Sequence, residues 1–189
     1  MVKTALVILL FPFFANAQLK LFVTLNPAGD FVAENETVEG KAFENPDGSV
    51  EANNIKLTVK EFKTGITLRD NHLIEKYLEA SKHPEILLKV AKGRNGKGEA
   101  IITVKGKSAK VAGTYIKGKD KLKAMFNAKI SDFGIADINY KGIGVEDEVK
   151  IEVMLPLEKK AGAAASAAPK QSSKQTAKPV AKPVVKDKK

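Results

Sequence analysis

The 189-residue chain has no cysteine, no tryptophan and only two histidines. Without thiols there is no disulfide framework, no thiolate nucleophile and no Cys-based zinc or iron–sulfur site. Two imidazoles cannot supply a three-His metal centre. His72 and His83 are eleven residues apart, with no carboxylate at metal-ligand spacing, so no metal and no cofactor is expected. Aromatic residues make up only 6% of the chain.

Cationic charge is plentiful, but it is not on the fold. The formal net charge is +10; residues 1–17 hold only Lys3, and residues 159–189 hold nine Lys and one Asp. Residues 18–158 are left with +1, too little for a basic nucleic-acid-binding face. The tail lacks aromatics on which nucleobases could stack, so no specific nucleic acid is expected as a partner.

The chain divides into three segments. Lys3, an apolar run from Ala5 to Phe14 broken only by Pro12, and Ala15-Asn16-Ala17 have the order of a secretory signal with an A-x-A cleavage site. The run is shorter than the roughly 20 residues of a membrane anchor. Residues 1–17 are therefore expected to be a signal peptide, and the mature protein periplasmic or secreted. From Lys159 the composition turns to Lys, Ala and Pro, which cannot bury apolar surface, so residues 159–189 are expected to be a disordered tail. It is either a spacer or an electrostatic tether to an anionic envelope surface.

Residues 18–158 are expected to form the folded domain, and they read as short strands between turn signals. Leu19, Leu21, Val23 and Leu25 alternate before Asn26-Pro27-Ala28-Gly29, and Asn45-Pro46-Asp47-Gly48 is a strong hairpin loop. The cleanest period-2 patterns are Leu122, Ala124, Phe126, Ala128, Ile130 and Val149, Ile151, Val153, Leu155, Leu157. One helix of about three turns is expected from Asp70, taken as its N-cap, with Pro84 as its stop. This pattern argues for an all-β antiparallel sandwich or barrel with one short helix. One face of the strand through Ala109, Val111, Gly113 and Tyr115 is small, as are Ala124 and Ala128. A barrel of about eight strands can be filled by side chains or can hold one small ligand, and composition leaves both open.

Several blocks resemble a known family. Lys63-Thr64-Gly65-Ile66 followed by Leu68-Arg69-Asp70-Asn71-His72-Leu73 resembles the TG…RD-x-HL signature of YceI-like domains. His83-Pro84-Glu85-Ile86, the segment Lys105-Gly106 to Thr114, and Phe126 to Phe133 with Gly142-Ile143-Gly144-Val145 and Asp147-Glu148-Val149 resemble later family blocks in order. The resemblance spans about residues 20–157. It implies an antiparallel lipocalin-like β-barrel that holds a long apolar ligand, a polyisoprenoid or a quinone-like lipid. Ile74 departs from the Lys that members often carry after His-Leu, and Tyr77 is the only aromatic residue in the helix.

On this reading the candidate ligand-lining residues are Phe31, Phe62, Leu73, Tyr77, Val111, Tyr115, Phe126 and Ile151. Arg69 and His72 are placed at the cavity mouth, facing a ligand head group. Arg69, Asp70 and His72 also suggest an Asp–His base with an anion-binding Arg. Helix capping accounts for Asp70 without catalysis, with Arg69 and His72 bonded to loop carbonyls, and there is no Ser in a G-x-S-x-G elbow. The protein is therefore expected to be a binding protein and not an enzyme. The alternative is an envelope structural protein with a filled barrel and a working tail. A homodimer is compatible with either reading, though no residue pattern argues for it.

Overall fold

The computed structural model describes residues 17–160. The expected signal, apart from Ala17, and the tail from residue 161 onward lie outside the described residues. The strands are β1 (Gln18–Asn26), β2 (Gly29–Asn35), β3 (Ala42–Glu44), β4 (Val50–Thr58), β5 (Glu85–Arg94) and β6 (Lys97–Val104). They continue with β7 (Lys107–Lys117), β8 (Lys121–Lys129), β9 (Asn139–Tyr140), β10 (Ile143–Val145) and β11 (Glu148–Lys159).

Strands β4 to β8 form a meander whose hairpins turn at Asn95-Gly96, Lys105-Gly106 and Gly118 to Asp120, and β8 pairs with β11. Closure comes from β3, which pairs antiparallel to β4 and parallel to the end of β11 through Ala42↔Leu157, Phe43↔Glu158 and Glu44↔Lys159. The barrel is thus a ring of seven strands with one parallel seam, where about eight antiparallel strands were expected. The seam is parallel because the six other pairings around the ring are antiparallel, so seven alternating strands leave its two ends, β3 and β11, running the same way.

Over Lys150–Met154 the same edge of β11 pairs with β1, and β1 carries β2 along its length. Two isolated backbone bridges, Glu34–Lys63 and Glu39–Lys56, tie the β2 side to β4 and the segment after it. Strict alternation puts Val149, Ile151, Val153, Leu155 and Leu157 of β11 inside, and all five are buried.

Asn35 is the one buried polar residue among those described. Its amide donates to the Thr58 carbonyl at 2.8 Å, and its Oδ1 accepts from the Thr37 N–H at 2.9 Å and the Thr37 hydroxyl at 2.8 Å. These bonds satisfy the buried amide and pin the end of β2 to the end of β4.

The helix differs from expectation at both ends. It begins at Thr67, after Gly65 turns the chain at φ +80°, so Asp70 lies within it and is not the N-cap. The Asp70 carboxylate instead reaches back to accept the Thr64 N–H at 2.7 Å and the Thr64 hydroxyl at 2.6 Å, clamping the approach to the helix. The α-helical turn Thr67–Asn71 (α1) runs into a wider π-turn over His72–Tyr77, in which the Leu78 N–H bonds to the Leu73 carbonyl. The helix ends there, well before Pro84, because Glu79 adopts a left-handed conformation at φ +51°.

That turn is braced electrostatically. Glu79 pairs with Lys105 at 2.6 Å and Lys82 at 2.9 Å, and these hydrogen-bonded cations, Lys105 foremost, lower its carboxyl from an ordinary 4.5 to about 2. A depressed folded-state value means that the brace is present above the unfolded carboxylate range and is lost as pH falls from about 4.5 through 2. A Glu79→Gln protein should therefore melt below the wild type at neutral pH, with the difference shrinking across that window. Melting curves at stepped pH check this.

Candidate ligand-binding site

The barrel interior holds three apolar chambers in succession. Along β11 they pass from Val149 (mouth chamber) through Val149, Ile151 and Val153 (middle) to Val153 and Leu155 (far end). Their volumes are about 340, 110 and 70 Å³. Neighbouring chambers share walls: Leu21, Leu78, Ile130, Ile135 and Val149 between the first two, and Leu88, Phe126 and Val153 between the last two. Every residue lining the middle chamber is aliphatic or Phe. Such a space offers water none of the two to four polar partners it needs and suits an apolar guest.

The small residues of β7 and β8 explain why the interior is hollow. Ala124, between Tyr115 and Val153 in the sheet register, lines the far chamber, and Ala128, beside Val149, lines the middle one, so each presents only a methyl group where a larger side chain would take up the space. Gly113 has a different role. A Cβ there would overlap the Met125 carbonyl and the Phe126 backbone, so its smallness lets β7 and β8 close up and sets the Phe126 ring at the neck. Gly93 leaves room for the Tyr115 ring in the same way.

All ten expected residues lie on chamber walls. Phe31, Arg69, His72, Leu73 and Tyr77 line the mouth chamber; Phe62, Phe126 and Ile151 line the middle; Val111, Tyr115 and again Phe126 line the far one. They do not form one cluster but are distributed along the barrel axis. The sequence reading missed Ile66, Leu68, Ile138, Tyr140, Ile143 and Val145, which complete the mouth. For the last four the signal was available, because apolar residues recur at Ile135, Ile138, Tyr140, Ile143 and Val145.

Arg69 and His72 are not bonded to loop carbonyls. The Arg69 guanidinium sits 4.4 Å from the Phe31 ring centre, and the His72 ring meets Tyr140 edge-on at 5.6 Å. Asp70 is committed to Thr64, so no Asp–His base pair is assembled. The mouth can therefore hold a chain against apolar walls beside one stacked cation.

At the opposite end the barrel is rimmed by ion pairs. Glu44 meets Lys117 at 2.6 Å, Glu51 meets Lys160, and Asp47 meets Arg94. The hydrogen bond from Lys117 lowers the Glu44 carboxyl, that from Lys160 lowers Glu51, and the Ser49 hydroxyl and N–H lower Asp47. These pairs are solvent-screened and act mainly to make that end polar.

The sequence model of the YceI-like domain matches residues 16–157. The chain belongs to the YceI-like domain family. Among solved structures, this YceI-like chain is similar to BcnA of Burkholderia cenocepacia, with 16% identity and a TM-score of 0.57, over 74% of this chain and 95% of that one. At that identity the likeness concerns the fold. It is also similar to a polyisoprenoid binding domain from Saccharophagus degradans implicated in plant cell wall breakdown. There the identity is 9% and the TM-score 0.49, over 74% of this chain and 91% of the other. No curated protein sequence matches the chain.

Proposed function

We propose that this YceI-like protein holds an amphiphilic lipid with a long isoprenoid-like chain inside its barrel, polar end at the mouth, in the periplasm or outside the cell. The observation that carries this reading is the succession of three apolar chambers along the barrel axis, with a middle chamber lined by nothing polar. Each CH₂ moved from water into such walls contributes about 0.8 kcal/mol. A chain of several isoprene units then needs few polar contacts. The signal-like start of the sequence supports export, and the Lys-rich residues 159–189 support attachment to an anionic envelope surface. A role as a scaffold with a filled barrel is disfavoured by the chambers.

The test is native mass spectrometry, with solvent extraction, of protein purified from its host. A prenyl-lipid adduct, and uptake of added polyprenol by delipidated protein, are expected. Guest-free protein that takes up no polyprenol overturns the proposal.

A further inference from the structure

The far end of the barrel is crossed by side chains. Tyr115, on β7, is 8% exposed and lines the far chamber. A methyl group at Gly93 would stand 2.5 Å from Tyr115 Cε1 and 3.0 Å from Cδ1, so the phenol ring rests on the Gly93 backbone of β5. The ring thus reaches past β6, where Gly98, the register partner of both Gly93 and Gly113, has no side chain to stand in its way. Among the described residues, Tyr115 and Phe126 are the aromatic ones lining this chamber. Phe126 stands at the neck with the middle chamber, and Tyr115 at the other end.

Lys117 follows on the same face of β7, one step nearer the rim. Its ammonium group donates to Glu44 at 2.6 Å and to the Gly48 carbonyl at 3.3 Å. Glu44 belongs to β3, and the ring order places β8 and β11 between β3 and β7 on one side and β4, β5 and β6 on the other. The pair therefore bridges strands on opposite sides of the ring, outward of the phenol. A polar cleft of about 680 Å³ adjoins this end. It shares Gly93, Gly98 and Gly113 with the far chamber and is also lined by Asn45, Arg94 and Lys97. Tyr115 lines the chamber and not the cleft. An apolar chain advancing from the mouth therefore meets the ring last, and beyond it finds charged groups and water.

We propose that the Tyr115 ring is the stop that sets the longest isoprenoid chain the barrel accepts. This rests on the reading of the chambers as a lipid site and adds a length selectivity to it. Up to the stop, each added isoprene unit gains burial. Past it, the excess stays outside the mouth and gains nothing. The ring has six carbons and an isoprene unit five, so truncating the side chain leaves a cavity that fits about one more unit. A further unit would enter the polar cleft, so the gain ends there.

The experiment is competitive native mass spectrometry of delipidated full-length protein, offered pairs of prenols that differ by one isoprene unit. In the wild type the longer member should be preferred until the limit is reached, and not beyond it. In Tyr115→Ala the first pair past that limit should favour the longer member about tenfold, while shorter pairs keep their wild-type ratios. Tyr115→Phe should keep the wild-type limit, because the ring remains. Tyr115→Leu should move the limit in the same direction as alanine, and serves where the alanine protein does not fold. A limit that stays in place in the truncated proteins, or that moves equally in Tyr115→Phe, overturns the stop and leaves lipid binding standing. So does a wild type that prefers the longer member at every length. Uptake of no prenol of any length by the wild type overturns the lipid reading itself, and the stop with it.

Discussion

An Ala128→Phe protein is expected to bind a long polyprenol at least a hundredfold more weakly than the wild type, while keeping its affinity for a prenol short enough to stay in the mouth chamber. Ala128 is a buried residue of β8 whose side chain faces the middle chamber of about 110 Å³. A phenyl ring there takes the space through which a chain must pass from the mouth to the far chamber. An isoprene unit has five carbons, so its burial contributes up to about 4 kcal/mol. A hundredfold loss corresponds to about 2.7 kcal/mol, less than the exclusion of one unit.

The added ring also costs stability, about 1–3 kcal/mol for overpacking, so urea unfolding must accompany the binding titration. Ala124→Phe in the far chamber provides the graded comparison. It should shorten the longest chain accepted while leaving medium chains bound. Equal loss for all chain lengths in both variants would mean that the guest does not thread the barrel.

The parts of the fold that were legible in the sequence are those with many repeats of one period. In β8 and β11 every second side chain is apolar over nine to twelve residues, and the register pairs Phe126 with Ile151 and Ala124 with Val153. Small residues at those points marked volume, but whether it was filled depended on partners distant in sequence, which no local pattern specifies. The closure was illegible for a related reason. Three residues of β3 make the seam, too few to show a period, and their partner on β11 lies more than a hundred residues away.

The mouth was half legible. Arg69, His72, Leu73 and Tyr77 stood out as a block, whereas Ile138 precedes, and Tyr140, Ile143 and Val145 belong to, the short strands β9 and β10, which are separated by a turn at Lys141-Gly142. Asp70 was misread because an acid near a helix start has two ways to satisfy nearby N–H groups. It can cap the first turn, or it can reach back to the preceding turn. Gly65 brings the Thr64 N–H close enough for the second.

Phe62 separates the two roles a chamber wall can have. It follows a short 3₁₀ turn after β4, is 0% exposed, and is the largest fully buried side chain among the described residues. Phe62→Ala is expected to lower unfolding free energy by about 3–5 kcal/mol, as for other buried Phe-to-Ala changes. The upper half of that range is favoured because one side of the ring already faces the middle chamber, which gives the surroundings little to collapse onto. The loss should depend on the guest. A ligand at a hundred times its dissociation constant stabilises a folded protein by about 2.7 kcal/mol. If a methyl branch of the guest enters the space left by the ring, the variant binds relatively better and the gap to the wild type narrows when polyprenol is present. Urea curves of both proteins, with and without polyprenol, measure that narrowing; an unchanged gap would show that the Phe62 ring supports the wall from behind and never meets the chain.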